Sequence, residues 1–358
     1  MQRLRTRCKI ELNPWTSLNS KQRKENIMKW TLKNKKFGLI AALVLIIFCV
    51  AVSAQAAVDK VHIRATCNVA KGDLMGETMA HFLTILKEKS GGNVTYEMHF
   101  GGVLGTIREV HESMKSNAIQ MFAGTVGDLA TYDKLCDISN FPYLYTSIEQ
   151  GNKVWEKMGP EFFDGVAKRS GWRIVYTWVG APRDLTAKKT ITQPDQMAGL
   201  KIRVPNWPIF ITYFKNVLKA SPTVVSFGEL YTALKTGVVD AQENPIYRSL
   251  ASGLFEVTPF VIRTQHSYDL NDVHVTEEFW KSLSPSLQKL FMESAAEARA
   301  WTLNESNRII NISIGEAVHR YKINIIQPDV DAFRKAAVGV ENDYPYLKDL
   351  VQQIRSAK

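Results

Sequence analysis

Apolar and polar positions follow one order in two separate stretches of this 358-residue chain. In the first, residues 61–67 alternate as a strand does, 74–89 carry apolar side chains at helical spacing and stop at Ser90-Gly91-Gly92, and 94–100 alternate again. The phrase GGVLG at 101–105 precedes a helix expected from about 106 to 116, halted at Asn117, and then a short apolar run at 118–123. In the second stretch, 199–204 predicts a strand, 208–218 a helix, and 228–235 another helix closed by Gly237, followed by the short run 238–241. The segments VHESMKSNAIQMF and LYTALKTGVVDAQ share a grammar of helix, Lys, spacer, Asn or Gly, strand. Strands alternating with helices predict an α/β architecture, and about 300 residues are more than one small core holds, so two lobes are expected. Further on, Ser284-Pro285 opens a helix whose face is traced by Leu283, Leu287, Leu290, Phe291, Ala295 and Ala298. Its helical character continues, with a bend, toward Tyr321, too long for one small lobe, and predicts a spine across both.

The start of the chain has a different pattern. Lys29, Lys33, Lys35 and Lys36 precede an unbroken apolar run at 37–52, which ends in Ser53-Ala54-Gln55-Ala56-Ala57. A basic flank, an apolar segment and a small-residue site describe a secretory signal peptide cleaved after Ala56, with Met28 as the natural start. A membrane anchor is the alternative, although a spanning helix needs about 20 apolar residues. The formal charge of +10 belongs to this leader: residues 1–56 hold 11 Lys/Arg and 2 Asp/Glu, leaving 34 against 33. A near-neutral remainder argues against a nucleic-acid surface. Cys8 and Cys49 lie in the leader, so Cys67 and Cys136 remain, either as a pair or as two buried thiols.

Signatures of enzymes are missing. The seven histidines form no HxxxH pair, and the chain has no CxxC, no GxSxG elbow and no Walker loop, so no catalytic residue, metal or cofactor is expected. GGVLG stands where a phosphate cradle could lie, but its spacing does not match the dinucleotide fingerprint and a tight turn explains it. Arg203, in GLKIRVPN, offers more. Ile202 and Val204 face one side of the strand and Lys201 and Arg203 the other, while Pro205-Asn206 ends it where open α/β sheets keep their ligand crevices. A guanidinium there presents a planar fork matched to a carboxylate. A structural ion pair with a nearby acid is the competing reading. Asn244, in DAQENP, supplies a donor and an acceptor after a short strand, unless Asn-Pro only makes a turn.

Taken together, Asn68, LKEKSGG, FPYLY, GLKIRVPN, ASPT and SFGELYTALKTGVVDAQENP resemble the solute-binding proteins of tripartite ATP-independent periplasmic (TRAP) transporters, the DctP/SiaP-like family. The resemblance covers nearly all of the chain after the leader. It implies a two-lobed periplasmic binding-protein fold with a long helix across both lobes. Lobe I is expected at 57–180 plus about 270–309, and lobe II at 181–269 plus about 310–358. It also implies a periplasmic, non-enzymatic protein that captures a small organic anion by lobe closure and passes it to the small and large permease subunits.

For the site, the resemblance implies that Arg203 holds the ligand carboxylate with Asn244 assisting. Arg183, in GAPR, stands for a second family arginine with one residue more between it and its glycine. Phe227 matches an aromatic that packs on the ligand, or else caps its helix as a core residue. Asn68 matches a ligand-contacting asparagine, Asn206 neighbours Arg203, and Trp207 faces the cleft or fills the hinge. Thr125 and Asp128 stand where sialic-acid binders have Glu and Arg, and Lys201 replaces the tryptophan of ectoine binders, which disfavours both ligands. A dicarboxylate, sugar acid, oxo or hydroxy acid, or a sulfonate remains. A ligand sensor for a membrane kinase, or a secreted enzyme acting on an organic acid, are the rival functions.

Overall fold

A computed structural model describes residues 60–357, with the short stretches 19–21, 24–25 and 27–31 of the preceding segment. The apolar run at 37–52, the expected cleavage site, Cys8 and Cys49 lie outside the described residues. Residues up to Ala57 make a unit of their own, of which 20–21, 24–25 and 27–31 are helical. The second unit begins at Val58.

In chain order its main elements are β1 (Val61–Cys67), α1 (Leu74–Lys89), β2 (Val94–His99), α2 (Ile107–Lys115), β3 (Met121–Thr125), α3 (Ile148–Ser170), β4 (Trp172–Ala187), β5 (Lys201–Val204), α4 (Pro208–Thr212), β6 (Ser221–Val224), α5 (Leu230–Thr236), β7 (Ala241–Asn244), α6 (Ile246–Ala251), β8 (Phe260–Thr276), α7 (Glu277–Ser282), α8 (Pro285–Tyr321), β9 (Asn324–Ile326), α9 (Val330–Ala337), α10 (Val340–Asp343) and α11 (Lys348–Ser356). The strands form one mixed sheet in the order β2-β1-β3-β8-β4-β7-β5-β6, with β9 also on β8. Its two halves share the long strands β4 and β8. Residues 172–179 of β4 pair with 270–276 of β8 next to β3, whereas 182–187 pair with 260–268 next to β7, and register shifts separate the two regions.

Local chemistry accounts for the element ends. Asp73 caps α1 by accepting from the Met75 N–H, and Thr106 and Glu109 close a capping box on α2. The apolar runs after α2 and α5 begin their strands later than expected, at Met121 and Ala241. Both helices end on a left-handed residue, Asn117 (φ 59°) and Gly237 (φ 77°), and the next residues curl back, Ala118 N–H to Ser113 O and Val239 N–H to Ala233 O. The first residues of each run therefore complete a helix terminus before the sheet begins. The expected helix at 208–218 is α only to Thr212 and continues as a π turn through Val217.

One core packs β1, β3 and the 172–179 half of β4 against α1 and the first part of α8, through Ile63, Phe82, Leu83, Trp178, Phe291, Ala295 and Ala298. A larger core runs from Phe122 and Trp172 past Leu270 to Phe210, Phe214 and Phe333, joining the two halves of the sheet. Helix α8 has 37 residues, a rise of about 55 Å. Thr302 Oγ1 hydrogen-bonds Thr78 Oγ1 of α1 at 3.1 Å, while Trp301, Ile309 and Ile310 pack with Tyr247 of α6, so one helix lies against both halves. Cys67 and Cys136 are separate buried thiols, not a disulfide. No helix among the described residues is long and apolar enough to cross a membrane.

Candidate functional site

Strands β5, β6 and β7 run parallel and deliver their carboxyl ends together, with Arg203 in register with Thr223 and Ile202 with Ala241. Arg203, 4% exposed, donates from Nε to the Val225 carbonyl at 2.9 Å, and its guanidinium carbon lies 5.8 Å from the Phe227 ring centre. Among the described residues its two Nη nitrogens make no hydrogen bond and no carboxylate stands within ion-pair distance. Burial lowers its pKa to about 10, with Glu243 opposing the shift and Arg183 and Arg248 adding to it.

The ion pairs go to the neighbouring arginines. Arg183 gives Nε and Nη2 to Glu243 (2.5 and 2.8 Å), Nη1 to Asp269 (2.8 Å), and Nη2 also to Asn244 Oδ1 at 3.0 Å. Arg248, on α6, gives Nε to Asp73 at 3.1 Å and Nη1 to Asp269 at 2.9 Å. Burial alone would lower the pKa of Arg183 and Arg248, but Asp269 with Glu243 in one case and Asp73 in the other more than offset it. For Glu243, burial would raise the carboxyl; Arg183 and His266 outweigh that and hold it below its ordinary value. His266 Nε2 lies 3.4 Å from Glu243, and burial lowers its pKa, keeping the ring neutral.

This changes the expected role of Arg183. Every donor of its guanidinium is committed to Glu243, Asp269 or Asn244, so it orders the site and leaves no donor for a ligand in this arrangement. Asn244 also donates Nδ2 to Gln242 Oε1 at 2.6 Å, which leaves one amide hydrogen. Trp207 stands between the halves: its Nε1 donates to Asp128 Oδ1 at 2.8 Å, and its ring centre is 5.2 Å from the Arg183 guanidinium carbon. Asp128 also accepts from the Thr125 N–H at 2.9 Å, and burial raises its pKa to about 6. Asn206 is exposed at the end of β5 and makes no hydrogen bond among the described residues, because the chain turns it outward as Trp207 turns in.

On the other half, Asn68 follows β1 at its carboxyl end. Its Oδ1 is sealed from solvent and has no hydrogen-bond partner. GGVLG folds over it as a turn: the Gly101 and Gly102 N–H groups bond Val69 O and Cys67 O, which removes them from any phosphate cradle. A Cβ on Gly102 would lie 3.8 Å from Asn68 Cγ, and one on Gly228 would lie 3.9 Å from Gly101 O, which brings this loop against the segment of Phe227. Phe227 touches the cores of both halves.

Glu243, Asp269, Arg248 and Asp73 belong to the site without having stood out in the sequence. Glu243 stood beside Asn244 in a quoted phrase and on a strand whose four residues are all buried, a pattern that marks an acid with a partner. Among the described residues, no group of three or more His, Cys, Asp or Glu could hold a metal ion.

The family model for bacterial extracellular solute-binding proteins, family 7 (DctP), matches residues 66–341. The chain belongs to this family. Members are binding proteins of TRAP transporters, not enzymes. A solute-binding protein of Roseobacter denitrificans is 29% identical over 217 residues, 60% of this chain and 66% of that one. Its crystal structure, with bound L-galactonate, superposes with a TM-score of 0.79 at 23% identity, covering 84% of this chain and all of the other. The 2,3-diketo-L-gulonate-binding periplasmic protein YiaO of Escherichia coli is 27% identical (76% of this chain, 82% of that one). The C4-dicarboxylate-binding periplasmic protein DctP of Rhodobacter capsulatus is 26% identical (73% and 79%). The two-lobed fold of this family is thus the fold of this chain.

Proposed function

We propose that this protein is the periplasmic binding subunit of a TRAP transporter, and that Arg203 holds the carboxylate of a small organic anion between the lobes. The observation that carries the reading is Arg203 itself, a buried guanidinium with two uncommitted nitrogens beside two arginines that are both ion-paired. A desolvated carboxylate is costly to bury unless paired, and a bidentate fork supplies that pair. Asn244 contributes its remaining amide hydrogen, Phe227 packs beneath the guanidinium, and Asn68 reads the rest of the ligand from the opposite lobe.

Lobe I comprises 57–180 and about 270–309, and lobe II 181–269 and about 310–358. The register shifts near Val179–Pro182 and Arg183–Leu185 support a hinge there. The leader is a signal peptide starting at Met28, cleaved after Ala56, and the closed protein docks on the small and large membrane subunits.

Native mass spectrometry of protein purified from a periplasm identifies the co-purifying acid, and titration calorimetry with that acid tests the site. Each charge-assisted hydrogen bond contributes about 1.5–3 kcal/mol, so Arg203→Ala is expected to bind at least tenfold more weakly with an unchanged circular-dichroism spectrum. Arg203→Lys weakens binding as well, since an ammonium lacks the fork. Wild-type affinity in a folded Arg203→Ala protein rules the assignment out.

A further inference from the structure

The buried ion pairs of the site leave one arginine for its ligand. Among the described residues three cations are buried, Arg183, Arg203 and Arg248. Three acids share their region, Asp73, Glu243 and Asp269, and the adjacent His266 is neutral. Those acids all pair with Arg183 and Arg248, and Arg203 is the one of the three buried arginines without a carboxylate partner. One carboxylate on Arg203 completes the pairing. A second carboxylate on the same ligand would find Arg183 and Arg248 already ion-paired with Glu243, Asp269 and Asp73.

The facing residues Asp128 and Asn68 add no cation. Trp207 and Asp128 close over Arg183, and Asp128 adds a carboxylate there. Asn68, beside the Gly101–Gly102 turn that meets Gly228, presents a neutral amide whose buried Oδ1 has no donor. An acceptor without a donor is satisfied by a hydroxyl and repelled by a carboxylate.

Resting on the assignment of Arg203 as the carboxylate site, we infer that the ligand is a hydroxylated monocarboxylate, and that the ion-paired Arg183–Glu243–Asp269–Arg248–Asp73 cluster together with Asp128 excludes dicarboxylates. An unpaired buried charge is among the most costly groups a folded protein can enclose, so the discrimination is expected to be large.

Pairs of acids on one carbon skeleton test this with the intact wild-type protein. Galactonate and galactarate, and gluconate and glucarate, differ only at the far carbon, which becomes a second carboxylate in the aldarates. Calorimetry and thermal shift at pH 7.5 would compare these with lactate, glycerate, succinate and malate. Expected is binding of at least one hydroxylated monoacid, with its matching dicarboxylate at least tenfold weaker and succinate and malate silent. A dicarboxylate that binds as tightly as the best monoacid, or a response to dicarboxylates alone, overturns the inference while leaving the Arg203 site standing. Silence across the panel, or an Arg203→Ala variant that binds the preferred acid unchanged, overturns the site assignment and the inference with it.

Discussion

Arg183, Arg203 and Arg248 are the same side chain in the same buried region, and their partners alone give them different work. Asp269 bridges Arg183 and Arg248, Glu243 grips Arg183, and Arg203 is left with a backbone carbonyl and the face of Phe227. Asp128 shows how burial acts on a single group. Its ordinary pKa is 3.8 and burial raises it to about 6, against the Thr125 N–H and the Trp207 indole, which lower it. The folded protein thus holds a proton between those values that the unfolded chain releases, so this carboxyl's contribution to stability falls as pH rises from about 4 to 6. Asp128→Asn has nothing to titrate and is expected to gain on wild type by up to about 3 kcal/mol between pH 4 and pH 7. Melting curves of both proteins across that range check it; a constant difference would mean that Asp128 titrates normally.

At the scale of elements, β4 and β8 are the least legible part of the sequence and the most important for position. β8 carries Thr264, His266, Ser267, Asp269, Asn271, Asp272 and His274, all buried, so its polar positions read as an exposed strand or a loop. Their partners outside the strand come from β4, β7, α6 and α2. His274 Nε2 meets His111 Nε2 of α2 at 3.1 Å while its Nδ1 meets Asp272 at 2.9 Å, and burial lowers the pKa of His111 to about 2. Gly180 sits where the β4–β8 register shifts, and a Cβ there would come 2.6 Å from Asn271 Nδ2. Gly180→Ala should therefore cost about 1–3 kcal/mol through overpacking, read as a lower melting temperature; an unchanged one would show that Asn271 yields freely. By contrast α1, α2 and α8 were legible, because their apolar faces and caps are local signals. Ser284-Pro285 and an apolar stripe to Ala298 marked the first part of α8, which runs on as one helix to Tyr321 where the sequence predicts a bend.

Across the whole molecule, Trp207 and Asp128 connect the start of α4 to the loop after β3, and so tie the two halves of the sheet at the site. If closure retains the ligand, Trp207→Phe, which keeps the ring and removes the indole N–H, should speed ligand release about fivefold or more in stopped-flow measurements, within the ~0.5–1.5 kcal/mol of one hydrogen bond. Unaltered release would assign the bond to folding alone. The sequence by itself determined the alternation of strands and helices, the helix caps, the long spine and the phrase that carries Arg203, because spacing, capping and strand ends depend on residues near one another in the chain. Only the tertiary structure decided which arginine stays unpaired. Glu243, Asp269 and Asp73 lie far apart in sequence, and a buried charge is defined by what surrounds it in space.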